Sequence, residues 1–166
     1  FRFSQFVSEI DSSDVNIVSN DTDIRAVIEI DPEIAVKTSY DLKFKNKLNV
    51  DHPLNAGESI TDHTPAIKSS TFTVGNSRGF IQDDGKGKLH IIKATSTSFV
   101  YLQRNIGTVN YNSGRAIIRN LKVDGYTGSG IKIMAKTDAS DIKTPKERII
   151  TIRDADINIS VKGVRE

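Results

Sequence analysis

His52, His63 and His90 are the side chains of this chain most suited to metal binding or general-base work. Their separations match no metal-ligand spacing. His52 and His63 also fall in a stretch without periodicity, where a surface histidine is expected. The chain has no cysteine, which excludes disulfides, thiolate zinc sites and cysteine nucleophiles. Asp21-Thr22-Asp23 and Asp83-Asp84-Gly85 bring carboxylates close together. Neither continues with alternating ligands to a Glu at the twelfth position, as a calcium loop would, so turn formation is their expected role. Gly125-Tyr126-Thr127-Gly128-Ser129-Gly130 reads GxxGxG and lacks the Lys-Ser/Thr ending and following helix of a phosphate cradle. No GxSxG elbow presents a serine nucleophile. No catalytic residue, metal ligand or cofactor is assigned, and an enzyme is not expected.

A basic aromatic constellation is the remaining chemistry. Arg104, Arg115, Arg119, Lys122 and Lys132 lie near Tyr101, Tyr111 and Tyr126, residue types that neutralise phosphates and stack bases. Strand alternation argues against a nucleic-acid stripe: Arg115, Ile117 and Arg119 share one side, and Ala116, Ile118 and Asn120 the other. Nucleic acid is therefore not an expected partner.

The elements that position these residues follow from periodicity. Phe3, Phe6, Val7 and Ile10 fall at i, i+3, i+4 and i+7, which predicts a helix with one apolar face suited to packing or self-association. Asp11-Ser12-Ser13-Asp14 ends it. Strands are expected at Val15–Val18, Ile24–Ile30 and Ile34–Phe44, the last with the cleanest alternation, and these three are read as a meander beside the helix. Residues 46–70 contain Pro53, Gly57 and Pro65 and read as a long connection. Further strands are expected at Ser70–Val74, Gly79–Gln82, Lys88–Lys93, Thr97–Gln103, Arg115–Val123, Gly130–Ala135, Arg148–Ile152 and Asp156–Val161. Asp83-Asp84-Gly85-Lys86-Gly87 and Tyr111-Asn112-Ser113-Gly114 signal hairpins. A helix near Asp138–Lys143 would be limited by Pro145.

Composition agrees. The 166 residues hold 34 Ile and Val against 6 Leu, with 13 Thr, which suits pleated, half-buried surfaces. The expected class is α+β and β-dominated: a helix-plus-strands unit at 1–50, a connection at 51–69 and a mostly antiparallel β domain at 70–166. No apolar run approaches the ~18 residues of a membrane span, and no membrane partner is expected. Residues 1–70 carry 7 Lys and Arg against 12 Asp and Glu, and residues 71–166 carry 16 against 9, a split suited to head-to-tail contact between copies. The chain begins Phe1-Arg2-Phe3 without Met or a secretory-type leader and is expected to be part of a longer one.

Four stretches carry a family resemblance. They are Phe1-Arg2-Phe3-Ser4-Gln5-Phe6-Val7 with Val15-Asn16-Ile17-Val18-Ser19-Asn20-Asp21, then 79–89, then Asn105-Ile106-Gly107-Thr108-Val109-Asn110-Tyr111-Asn112-Ser113-Gly114, then Arg148-Ile149-Ile150-Thr151-Ile152 leading into 156–159. Together they resemble the carboxy-terminal part of the large baseplate wedge protein of T4-like contractile-tailed phages. The resemblance implies a structural virion component, located in the tail baseplate after assembly in the host cytoplasm. Copies would associate with one another and with other wedge proteins, joining wedges into a ring around the hub, without catalytic residues or cofactors. The alternative is a β-sandwich glycan-binding or adhesin module, weakened by the absence of Trp and the presence of only 4 Tyr.

Overall fold

The computed structural model describes residues 3–15, 17, 22–138 and 157–160. Helix α1 spans Phe3–Asp11. It stops where the Ser12 and Ser13 hydroxyls donate back to the carbonyls of Glu9 and Ile10, satisfying acceptors that a further turn would have used. Phe6, Val7 and Ile10 are half-buried along its apolar face.

Ten strands follow among the described residues: β1 (Arg25–Ile30), β2 (Lys37–Lys43), β3 (Ile67–Ser69), β4 (Phe72–Val74), β5 (Ser77–Asp83), β6 (Lys88–Ala94), β7 (Phe99–Asn110), β8 (Arg115–Lys122), β9 (Gly125–Tyr126) and β10 (Ile131–Lys136). All the strand pairs are antiparallel, and the molecule is the β-dominated α+β structure that composition predicts. The sheet runs β1-β10-β3-β5-β6-β7-β8-β2, with β4 branching to β5 and β9. Both hairpin signals mark hairpins, β5–β6 and β7–β8. Gly114 is required in the second: its φ is 61°, and a Cβ there would lie 2.0 Å from the Asn46 carbonyl oxygen.

Several boundaries differ from expectation for local reasons. The strand expected from Ile34 starts only at Lys37, because Ala35 takes a φ of 65° and the Val36 N–H turns back to the Glu33 carbonyl. The strand expected to end at Gln103 continues to Asn110, past a bulge in which Asn105 has a φ of 58°. Where a meander was expected, β1 bonds to β10 and β2 to β8, so the first two strands lie at opposite ends of the ladder. Of the strand expected at 15–18, Val15 sits in a turn and Ile17 in no regular element, while Asn16 and Val18 are outside the described residues. The strand expected at Arg148–Ile152 is also outside them; Ile157–Ser160 are exposed and not in a strand.

One apolar cluster joins Leu42, Phe44 and Leu48 to Ile67, Ile81, Leu89, Ile91, Ile118, Leu121, Ile131 and Ile133. Residues from both sides of the connection thus share a core. The connection itself folds over the outer face of β5 and β6, where Ile60 packs on Phe80 and Ile92. Both faces of these strands are therefore covered, and Phe80, Ile81 and Gln82 are all buried instead of alternating.

Candidate functional site

The β5–β6 turn gathers the titratable residues. Asp83 is fully buried: its Oδ1 accepts the Ile67 N–H at 2.7 Å, and its Oδ2 accepts the Gly85 N–H at 3.1 Å and the Tyr111 hydroxyl at 2.8 Å. The Tyr111 oxygen in turn accepts the Gly87 N–H at 3.0 Å. Burial pushes the Tyr111 phenol well above its ordinary range, and the charge and hydrogen bond of Asp83 push it further. Asp84 Oδ1 accepts the N–H groups of Lys86 and Lys88, and its Oδ2 lies 3.4 Å from His90 Nε2. Burial raises the Asp84 carboxyl, but the His90 ring and the two backbone donors outweigh it and hold it at about 2. His90 Nδ1 accepts the Asn105 N–H at 3.2 Å, which places the neutral ring's proton on Nε2, toward Asp84.

All three histidines meet here. His52 is exposed, as expected, but His63 is buried, which corrects the surface expectation. Gly85 is the reason: a Cβ on it would stand 2.8 Å from Pro53 Cα and 3.0 Å from His63 Cε1, so only glycine lets the connection close over the turn. His63 Nε2 lies 3.8 Å from Asp83 Oδ2, and neither ring nitrogen has a hydrogen-bond partner among the described residues. The arrangement is a clamp: the Asp83 carboxylate ties the hairpin turn to β3 and to Tyr111 in the β7–β8 turn, the Asp84 carboxylate ties it to His90 on β6, and the Asp84 carbonyl holds Leu54 of the connection. Sequence reading found the turn and missed the clamp. The available signal was Asp83 at the inner end of the run Phe80-Ile81-Gln82, where a buried carboxylate needs several donors.

The other candidates are dispersed. The side chain of Phe3 is outside the described residues; Phe6, Val7 and Ile10 share the half-buried helix face. The Arg104 guanidinium lies 3.5 Å over the Tyr101 ring, whose edge meets His90. Tyr126 donates to Asp31, a bond that, with burial, raises its phenol. The aromatic side chains proposed as base-stacking platforms are thus engaged within the chain. Among the described residues, no group of three or more His, Asp or Glu is placed to hold a metal ion, and no helix is long and apolar enough to cross a membrane.

Charge collects on the outer face of β2 and β8. Register sets Lys37 opposite Lys122 and Lys43 opposite Arg115, and the bulge between Thr38 and Tyr40 leaves Arg119 exposed beside them. Asp41 is the carboxylate within this group. Arg115 holds it by two bonds of 2.7 and 2.9 Å, which keep its carboxyl below the ordinary range. A shallow open hollow of about 310 Å³ adjoins the face, lined by Thr108, Asn110, Ser113, Arg115 and Ile117. No family model, curated protein or solved structure matches the chain.

Proposed function

We propose that the chain is a structural part of a contractile phage tail baseplate wedge, in which copies associate with one another and join neighbouring wedges into a ring around the hub. The resemblance supports this reading, together with one structural observation. Asp83, Asp84, His90 and Tyr111 are committed to the clamp, and Tyr101 and Tyr126 to neighbouring contacts, which suits a module built to be held and to hold. On this reading the chain is not an enzyme and binds no cofactor. Its partners are further copies and other wedge proteins, not nucleic acid or membrane. It resides in the virion's tail baseplate after assembly in the host cytoplasm.

Sedimentation across a concentration range tests the reading. Self-association is expected at micromolar concentration and low salt, weakening toward 1 M salt, where screening shortens to about 3 Å. A strictly monomeric mass at high micromolar concentration and low salt overturns it.

A further inference from the structure

The lining of the hollow beside Arg115 is set by strand register. Thr108 of β7 stands opposite Ile117 of β8, and Asn110 opposite Arg115. The two rows continue to Lys88 on β6, opposite Thr108, and to Lys43 on β2, opposite Arg115. Directly paired residues share a face of the sheet, so these two exposed lysines flank the hollow, and Ser113 of the β7–β8 turn completes its lining. The chain itself uses only part of this polar set. Asn110 Oδ1 accepts the Ser113 N–H at 3.1 Å, which leaves the amide NH2 group. Arg115 gives Nε and one terminal nitrogen to Asp41 and keeps the other. The Thr108 and Ser113 hydroxyls and the Lys88 ammonium have no hydrogen bond or ion pair among the described residues. No carboxylate lines the hollow; Asp41, in the adjoining row, is shared between Arg115 and Lys43, which lies 3.6 Å away. Donors thus outnumber acceptors around a half-buried aliphatic floor, Ile117.

We propose that this hollow binds an acidic saccharide, a sugar ring carrying a carboxylate. The charges of Arg115 and Lys88 draw the carboxylate, the groups of Thr108, Asn110 and Ser113 meet ring hydroxyls, and Ile117 underlies the C–H face. No aromatic ring lines the hollow, so a neutral sugar or a nucleotide base lacks a stacking platform and charge must supply the attraction. β7 and β8 are bonded on both sides, so an extended peptide finds no free edge to join. At about 310 Å³ the hollow sits at the small end of ligand sites, about 300–1,000 Å³, and it is open, which suits one ring of a glycan that continues into solvent. The site is separate from the self-association reading, and either fails without the other.

Nuclear magnetic resonance titration with galacturonate, glucuronate and N-acetylneuraminate, each at millimolar concentration and low salt, tests the site. At least one is expected to shift the amides of Thr108, Asn110, Ser113 and Ile117, while galactose and glucose at the same concentration leave them in place. Lys88→Glu reverses a flanking charge and is expected to weaken binding about tenfold. Thr108→Val removes a hydroxyl at similar volume and is expected to weaken it several-fold. Lys37→Glu makes the same charge change on the same face but outside the hollow, opposite Lys122, and is expected to leave the affinity within twofold. Far-UV circular dichroism checks the fold; if Lys88→Glu unfolds the chain, Lys88→Met takes its place and is expected to weaken binding to a smaller degree. The proposal is overturned if no acidic sugar shifts these amides, if the neutral sugars bind equally well, or if Lys37→Glu costs as much as Lys88→Glu. A short oligothymidylate that binds the same residues more tightly than the acidic sugars also overturns it and assigns the face to nucleic acid.

Discussion

Asp84 and Tyr111 show how single residues carry the clamp. With its carboxyl held at about 2 against an ordinary 3.8, Asp84 contributes about 2 kcal/mol to stability at neutral pH. Its folded value is depressed, so this contribution is present above about 3.8 and is lost as pH falls through about 2. Urea unfolding at pH 7, 4 and 2 is expected to show that loss, and Asp84→Asn should lower stability at pH 7 while flattening the acid dependence. Tyr111→Phe deletes the hydroxyl that donates to Asp83 and accepts from Gly87, leaving a buried carboxylate one donor short. Its expected cost is ~1–3 kcal/mol by the same measurement.

At the scale of elements, the connection and α1 make different predictions. Gly85→Ala places a methyl 2.8 Å from Pro53 Cα at a φ of +70°, so the connection must lift from the turn. Hydrogen exchange is expected to quicken at Leu54, whose N–H is bonded to the Asp84 carbonyl, before it quickens in β6. For α1, Phe6 is half-buried, so Phe6→Ala should cost less than the ~3–5 kcal/mol of a fully buried aromatic. If the apolar face serves self-association, this variant weakens association with the melting temperature nearly unchanged. A melting temperature lowered at every protein concentration would instead assign the face to the chain's own core.

For the whole molecule, the pairing of β1 with β10 and of β2 with β8 joins the beginning of the sheet to its end. Residues 1–50 expressed alone are therefore expected to lack stable strands, and a chain cut after residue 130 should lose β1 and β3 together with Ile131, Ile133 and Ala135 from the core. Circular dichroism and amide dispersion in nuclear magnetic resonance spectra check both. Such distant pairing also predicts folding in milliseconds to seconds, since long loops must close before the contacts that reward them form.

The sequence by itself determined what depends on neighbours along the chain. β-branched composition set the class, the turn chemistry of Asp83–Gly87 and Tyr111–Gly114 set two hairpins, and apolar spacing set α1. Tertiary structure decided what depends on distant residues. Alternation in Lys37–Lys43 predicts a strand, but only the sheet order makes Arg115–Lys122 its partner and gathers their cations on one face. His63 read as a surface residue because its burial depends on space left by Gly85, 22 positions away in the numbering. Asp83 read as a turn residue because its donors come from Ile67 and Tyr111, on elements that reach it only once the sheet has formed. Backbone preference is local and readable, whereas burial and charge pairing are properties of the assembled sheet.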